Sequence, residues 1–214
     1  KVSEKCYLPA NAVFLDLLKN IPEFKISFSF SGVFLEQISL YAPQVLKSFQ
    51  DLVKTGRVEI LSETYYHSLS YFYSLSEFER QVVLHRAIIR RLFGVIPRVF
   101  RNTELAYNNN LGRWAEKNGY EAVLAEGWDS ILGWRSPNFV YQPKGVKRTK
   151  LLLKNYRLSD DVAFRFSEKS WSEWPLTAEK FSHWVSAING TGDLVKLFMD
   201  YEKFGEHQWA DTGI

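Results

Sequence analysis

Apolar, β-branched runs alternate with helix-like segments along this 214-residue chain, and that alternation limits the fold more than any other feature of the sequence. The runs with the composition of buried strands are FKISFSFSG, RVEILS, RVFRNTE, EAVLAEG, KLLLKN, VAFRFS and LVKLFMD. Strands separated by helices form βαβ units, in which the helix returns the chain so that successive strands lie parallel. The sequence therefore predicts an α/β fold with a parallel sheet.

Start and stop signals predict where the helices lie between these runs. In the clearest case Ser76 and Glu79 have the spacing of a capping box, and Gly94 supplies the residue type that ends a helix. Similar signals predict helices at about residues 9–20, 34–54, 109–118 and 178–189, the second with a break near Pro43 as an alternative. The irregular segment 128–176 is predicted to form long loops around a site, or a small insertion.

Several of the strand-like runs carry an acid at or near their ends, namely Glu59, Glu104, Glu126 and Asp200. In a parallel α/β barrel the carboxyl ends of the strands share one mouth, so acids far apart in the sequence converge there. Burial of a carboxylate among apolar strands costs free energy unless the group is paired or hydrogen-bonded. The alternative for each acid is structural: a helix N-cap, a turn former, or a partner for an arginine such as Arg101 or Arg165.

Charge and motif content exclude several classes of protein. The formal charge of +3 comes without a basic block, so we predict no nucleic-acid partner. No apolar run reaches the roughly 18 residues of a membrane span, and the single cysteine, Cys6, cannot form an internal disulfide, so we predict no membrane association and a cytoplasmic protein. Neither HExxH, paired cysteines nor a G-x-S-x-G elbow is present, so we predict no metal and no cofactor.

Aromatic residues make up 16% of the chain, and several lie beside polar groups in the irregular segment. Those in question are Trp128, Trp134, Tyr141, Trp171 and Trp174. Their rings could stack on sugar faces, or they could pack the loops onto the sheet. Asp129 and Arg135 could bind substrate or pair with each other.

Three motifs in order, GRVEIL, FRNTEL and FMDYEKFG, resemble the second, third and fourth sequence regions of glycoside hydrolase family 57, a family of α-amylases and 4-α-glucanotransferases. The stretches LSETYYHSLSYFYS and GEHQWADTGI are similar to its α-amylase-like group. The resemblance covers nearly the whole chain. It implies an α/β fold of the incomplete TIM-like (β/α)7 barrel type, with residues 1–214 forming a single catalytic domain.

The resemblance also implies roles for individual residues. Glu104 matches the nucleophile and Asp200 the general acid/base of a retaining glycosidase, which needs two carboxyl groups about 5 to 5.5 Å apart. The resemblance further implies that Glu59 contacts the substrate. From their positions beside acids and aromatic residues, or within the motifs, we add His67, Arg101, Trp128, Asp129, His207 and Trp209 as expected substrate-binding residues, with a surface or core histidine as the alternative for His67 and His207. His85 and His183 fall within predicted helices and are expected to be structural.

The chain also departs from the family pattern. The histidine-rich first region and the fifth region do not occur in it, and Arg101 stands where many relatives have Trp. We therefore expect a fragment of a longer chain, without the first strand and the C-terminal part of the barrel. The predicted activity is a retaining α-glucan hydrolase acting on α-1,4-linked glucose polymers or maltooligosaccharides, with 4-α-glucanotransferase or a non-catalytic glucan-binding protein as alternatives. The sequence gives no indication of oligomeric state.

Overall fold

A computed structural model describes residues 1–208, and parallel strands form its centre. The strands of this part of the chain are β1 (Ile26–Phe28), β2 (Val58–Ile60), β3 (Val99–Arg101), β4 (Ala122–Glu126), β5 (Val140–Tyr141) and β6 (Lys150–Lys154). Five of the predicted runs contain these strands, so the expectation of an α/β fold is confirmed for them. The two-residue strand β5 was not predicted, since it is too short to give a periodic pattern.

The strands pair mostly in sequence order. β1 pairs in parallel with β2, while the order β3-β4-β6-β5 forms a second sheet that is parallel except at β5. A parallel bridge between Ser62 and Phe100 joins the two sheets, with Ser62 N donating to Val99 O at 2.9 Å. All parallel strands thus present their carboxyl ends at one edge. Within residues 1–208 the sheets do not close into a barrel, so the predicted incomplete (β/α)7 barrel is not confirmed.

Helices occupy most of the connections between strands. They are α1 (Leu8–Asn20), α2 (Gly32–Tyr41), α3 (Pro43–Lys54), α4 (Leu75–Phe93), α5 (Asn109–Lys117), α6 (Asp129–Leu132), α7 (Tyr156–Ala163) and α8 (Ala178–Ser186). A π-helical turn (Ser3–Tyr7) precedes α1, and single 3₁₀ turns lie at Ser70–Phe72, Thr103–Leu105, Arg165–Ser167 and Tyr201–Lys203. No helix of the described residues is long and apolar enough to cross a membrane.

Two helix predictions need correction in detail. The predicted helix 34–54 is two helices, because Ala42 leaves helical geometry (φ −147°, ψ 59°) and Pro43 begins α3. The N-cap of α4 is Ser74 rather than Ser76, since Ser74 Oγ accepts the N–H of Glu77. Gly94 ends α4 as predicted, with a left-handed φ of 72°.

Two predicted strands do not form. The run VAFRFS ends helix α7 and enters a 3₁₀ turn, because Asn155 caps that helix through Leu158 N and Asp161 pairs with Arg165 one turn later. The run LVKLFMD has no strand ladder. It lies beside β6, where Lys196 O accepts the N–H of Asn155 at 2.9 Å.

Aromatic side chains form most of the core. Under β1 and β2 the ring of Phe49 packs on Phe28 and Phe30, with centroid distances of 5.5 and 4.8 Å. Beside β3 and β4 a second cluster joins Phe78 and Phe100 in an edge-to-face pair. These interlocking rings fix the strands from one side. The carboxyl ends of the strands are therefore held in a constant arrangement.

Candidate active site

Two cavities that share several lining residues open at the carboxyl ends of the strands. Their volumes are about 870 and 240 Å³. The residues common to both are His67, Arg101, Phe198, Met199 and Asp200. Glu104 and Asp200 line the smaller cavity together, and Glu59 lines the larger one. We treat the two as one cleft, in which acids from separate strands converge.

A strained turn presents Glu104 to this cleft. Glu104 and Leu105 follow β3 with left-handed φ values of 56° and 55°, which cost non-glycine residues about 1 to 3 kcal/mol each. The turn is held by Asn102, whose side-chain amide donates to Ala106 O, and by Thr103, whose hydroxyl donates to Ser68 O. The Glu104 side chain consequently remains 74% exposed.

His67 is the side chain that contacts Glu104. Its Nε2 lies 3.2 Å from Glu104 Oε1, and its backbone is also left-handed, with φ 52°. The Glu63 carboxylate raises the pKa of His67, and Glu104 adds to this effect. Burial and the positive charge of Arg101 act in the opposite direction without reversing it. His67 Nε2 and Glu104 Oε1 are within hydrogen-bond distance, so His67 holds the Glu104 side chain in the cleft.

Glu63, which the sequence interpretation did not single out, is the buried centre of the site. Its Oε2 accepts hydrogen bonds from Arg101 Nη1 at 2.7 Å and from Ser29 Oγ at 3.0 Å. Burial raises the pKa of Glu63, but the partners His67 and Arg101 more than offset this, so the pKa is held below its ordinary value. The signal was present in the sequence, because Glu63 follows a strand-like run just as Glu104 does.

Asp200 reaches the cleft from the extended segment beside β6. It precedes the 3₁₀ turn Tyr201–Lys203. Tyr201 anchors that turn, since its hydroxyl donates to Asn11 and its ring packs against Phe28. The segment also contacts the end of β3, because the Arg101 guanidinium lies 5.1 Å from the centre of the Phe198 ring.

Two further strand acids face the cleft. Glu59 on β2 lies 3.7 Å from Arg98, and burial raises its pKa although that arginine lowers it. Glu126 at the end of β4 lines the smaller cavity, where Lys154 lies 3.5 Å away. Among the described residues no cluster of three or more His, Cys, Asp and Glu is arranged to hold a metal.

Of the remaining predicted substrate-binding residues, the three that the structure describes line neither cavity. Trp128 is 55% exposed beside Tyr156, and Asp129 pairs with Arg157 at 2.6 Å rather than with Arg135. These side chains lie in a loop after β4 whose direction the sequence pattern did not reveal. His207 is exposed outside both cavities. Trp209 falls outside the described residues.

The two helical histidines have the positions expected of structural residues. His85 on α4 is fully buried, and its Nε2 lies 2.7 Å from Phe30 O. Burial lowers its pKa. His183 lies in α8 as predicted.

Lys196 adds a titratable amine to the larger cavity. Its Nζ donates to Leu152 O at 3.3 Å. The residue as a whole is half-buried, but desolvation of its ammonium group lowers the pKa of Lys196 to about 7. The positive charges of Lys154 and Arg101 lower this pKa further, and the negative charge of Glu126 opposes the shift. The lysine therefore loses its charge near neutral pH.

This lowered pKa makes the stability depend on pH. An unfolded lysine titrates near 10.5, so between pH 7 and 10.5 the unfolded chain binds more protons and the free energy of unfolding rises with pH. We expect Lys196→Met to remove this rise, so that its stability relative to the wild type declines from pH 7 to 10. Thermal unfolding midpoints across that range measure it, with the exposed Lys150→Met as control. A pH-independent difference between Lys196→Met and wild type would contradict the prediction.

The fold and the site together define an α/β protein with an acid-lined cleft at the carboxyl ends of its parallel strands. The sequence model of "Glycosyl hydrolase family 57" matches residues 1–214. The chain therefore belongs to glycoside hydrolase family 57, which confirms the resemblance seen in the three motifs.

Individual relatives agree with this membership. A protein of Methanocaldococcus jannaschii named "Putative alpha-amylase" is 48% identical over 216 residues, covering 100% of this chain and 45% of the relative. A "4-alpha-glucanotransferase" of Thermococcus litoralis is 26% identical over 180 residues, covering 83% of this chain and 22% of the relative. The chain thus spans less than half the length of these relatives.

Solved structures show the same fold. The crystal structure of 4-alpha-glucanotransferase from Thermococcus litoralis superposes with a TM-score of 0.71 at 21% identity, covering 95% of this chain and 30% of the other. The branching enzyme of the family from Pyrococcus horikoshii gives a TM-score of 0.67 at 15% identity, covering 99% of this chain and 59% of the other. Similarity at this level of identity describes the fold alone.

Proposed function

We propose that the full-length protein is a retaining α-glucan hydrolase in which Glu104 is the nucleophile and Asp200 the general acid/base. The observation that carries this proposal is that both carboxyl groups line one cavity at the ends of separate chain segments. Membership of the family and the relative named as an alpha-amylase support it. Two acids on one cleft are the minimum that glycoside cleavage with retention requires.

The chemistry proceeds in two steps. Asp200 donates its proton to the glycosidic oxygen while Glu104 attacks the anomeric carbon, so the bond to the leaving sugar breaks as a glycosyl ester forms on Glu104. Asp200, now a carboxylate, then accepts a proton from water, which attacks the same carbon and releases Glu104. In this proposal His67, at hydrogen-bond distance from Glu104, holds the nucleophile in place for the first step.

Substrate binding is assigned to side chains that line the cleft. Glu59, His67 and Arg101 are placed to hydrogen-bond sugar hydroxyls near the two acids. Trp128, Asp129 and His207 lie outside both cavities, so in this proposal they contact only the sugar units of a long glucan that extend beyond the cleft. The proposed partner is therefore an α-glucan or a maltooligosaccharide.

A second candidate function is glucan transfer. The Thermococcus litoralis relative is named as a 4-alpha-glucanotransferase, and the covalent glycosyl intermediate can be released by a sugar hydroxyl as well as by water. The two activities share Glu104 and Asp200. They differ only in which acceptor reaches the intermediate.

The products formed from maltoheptaose distinguish these functions. For a hydrolase we expect the full-length protein to release reducing ends and to form only shorter products. Products longer than maltoheptaose, without new reducing ends, would establish transfer instead. Binding of maltoheptaose with neither outcome would identify the non-catalytic glucan-binding protein and contradict the proposed function.

A further inference from the structure

We infer that Glu63 is a positioning residue that sets the relative placement of the two proposed catalytic acids through Arg101 and His67. The inference rests on the proposed function and extends it to a residue that does not itself line the smaller cavity with Glu104. Its basis is a chain of contacts that begins at a buried carboxylate and ends on both sides of the cleft.

The Glu63 carboxylate is the buried anchor of this chain. Its side chain is 2% exposed, and that of Arg101 is 10% exposed. A charge pair in such surroundings is costly to desolvate, and removal of one partner leaves the other uncompensated. The Arg101 guanidinium is consequently held in one place, at 2.7 Å from Glu63.

One branch of contacts leads to Glu104. Arg101 Nη1 lies 3.1 Å from His67 Nδ1, and Glu63 Oε2 lies 3.6 Å from the same nitrogen. The other ring nitrogen of His67 contacts Glu104. The residues next to Glu63 and Glu104 are also joined, since the hydroxyls of Thr64 and Thr103 lie 3.0 Å apart. The loop that carries Glu63 is therefore fixed to the turn that carries Glu104.

The other branch leads to Asp200. The Arg101 guanidinium contacts the ring of Phe198, which lies two residues before Asp200 in an extended segment without a strand ladder. Because backbone pairing contributes little there, side-chain contacts carry more of the positioning. Glu63 thus holds a cation that belongs to the end of β3 and contacts the segment bearing Asp200.

The charges around His67 come from every element that packs near it. Glu63 belongs to the same loop as His67, Arg101 ends β3, and Glu104 comes after it. His85 on α4 interacts with Glu63. Asp200 and Lys203 line the small cavity together with His67. The Glu63 carboxylate is the largest influence that raises the pKa of His67. If protonated His67 holds Glu104 in place, turnover must fall as pH rises through that pKa.

The test uses the full-length protein and the variant Glu63→Gln. We expect kcat on maltoheptaose to fall by about 100-fold, the loss associated with a misplacement of about 1 Å, with KM changing much less. We also expect the alkaline limb of the kcat profile to move to lower pH, because His67 loses the carboxylate that raises its pKa. If Glu63 had only a structural role, its replacement would lower the fraction of active enzyme equally at every pH. The alkaline limb of the kcat profile would then stay at the same pH.

Controls separate this inference from stability and from the proposed function. Glu63→Asp is the second variant in case Glu63→Gln does not fold. It keeps the negative charge but moves the carboxylate away from Arg101, so it should fold and still lower kcat. Asp161→Asn, which breaks the ion pair with Arg165 at 2.6 Å, should leave the pH profile unchanged. If Glu104→Ala abolishes activity and neither Glu63 variant alters it, this inference is overturned while the proposed function stands. Absence of sugar cleavage by the wild type would overturn the proposed function and this inference together.

Discussion

Replacement of Glu104 by alanine is expected to lower turnover of maltooligosaccharides by several orders of magnitude while the protein remains folded. The side chain is 74% exposed in the cleft, so its removal takes away the proposed nucleophile without opening a cavity in the core. Initial rates of reducing-sugar release by the full-length protein measure the loss. An exposed acid on α8 that lines neither cavity, Glu179, provides the control Glu179→Ala.

Azide makes the test specific for a nucleophile. In Glu104→Ala the small anion can enter the space left by the carboxylate and attack an aryl α-glucoside directly, giving a β-glucosyl azide. This inversion at the anomeric carbon is the outcome expected if Glu104 forms the covalent intermediate. Undiminished turnover in the purified Glu104→Ala variant would defeat the assignment, whatever its effect on stability.

Replacement of Asp200 by asparagine is expected to lower turnover of maltooligosaccharides by about 10²- to 10⁴-fold, the usual contribution of a general acid. The effect should be much smaller on aryl α-glucosides, because a good leaving group departs without protonation. Rates on the two substrates, measured with the same enzyme preparation, give the comparison. Asp16→Asn on the exposed side of α1 should change neither rate.

Azide again separates the roles. With Asp200→Asn the intermediate on Glu104 still forms from an aryl α-glucoside, and azide then attacks it from the face that water would use. The expected product is therefore the α-glucosyl azide, opposite to that of the Glu104 variant. An equal loss of rate on aryl and natural substrates would contradict a proton-donating role for Asp200.

The sequence predicted much of the local structure because local structure depends on near neighbours. The capped helix that ends at Gly94 and the apolar runs of β1 to β4 and β6 carry their signals within a few residues. The errors arose where local signals conflicted. VAFRFS has the composition of a strand, yet the cap at Asn155 and the Asp161–Arg165 pair favour helix α7. The run LVKLFMD has the composition of a strand, but its backbone hydrogen bonds, such as that from Asn155 N to Lys196 O, do not continue into a ladder.

The candidate site was predicted in part for the same reason. The motifs around Glu59, Glu104 and Asp200 are continuous in sequence, and all three acids line the cleft. Trp128 and Asp129 were proposed from composition alone, and the loop after β4 directs them away from it. Composition specifies what a loop could bind, but the path of the loop decides what it can reach.

By itself the sequence determined the alternation of strands and helices, the family and the acids that the motifs contain. Only the tertiary structure decided that Glu63 pairs with Arg101 and that His67 touches Glu104, contacts between residues 38 and 37 positions apart. Such contacts follow from the isolated parallel bridge between Ser62, which follows β2, and Phe100 in β3, because it aligns the ends of two strands that an intervening helix separates. Because that alignment decides which charged side chains are buried together, it also sets the free energy of burying them, and a local sequence pattern does not predict the alignment.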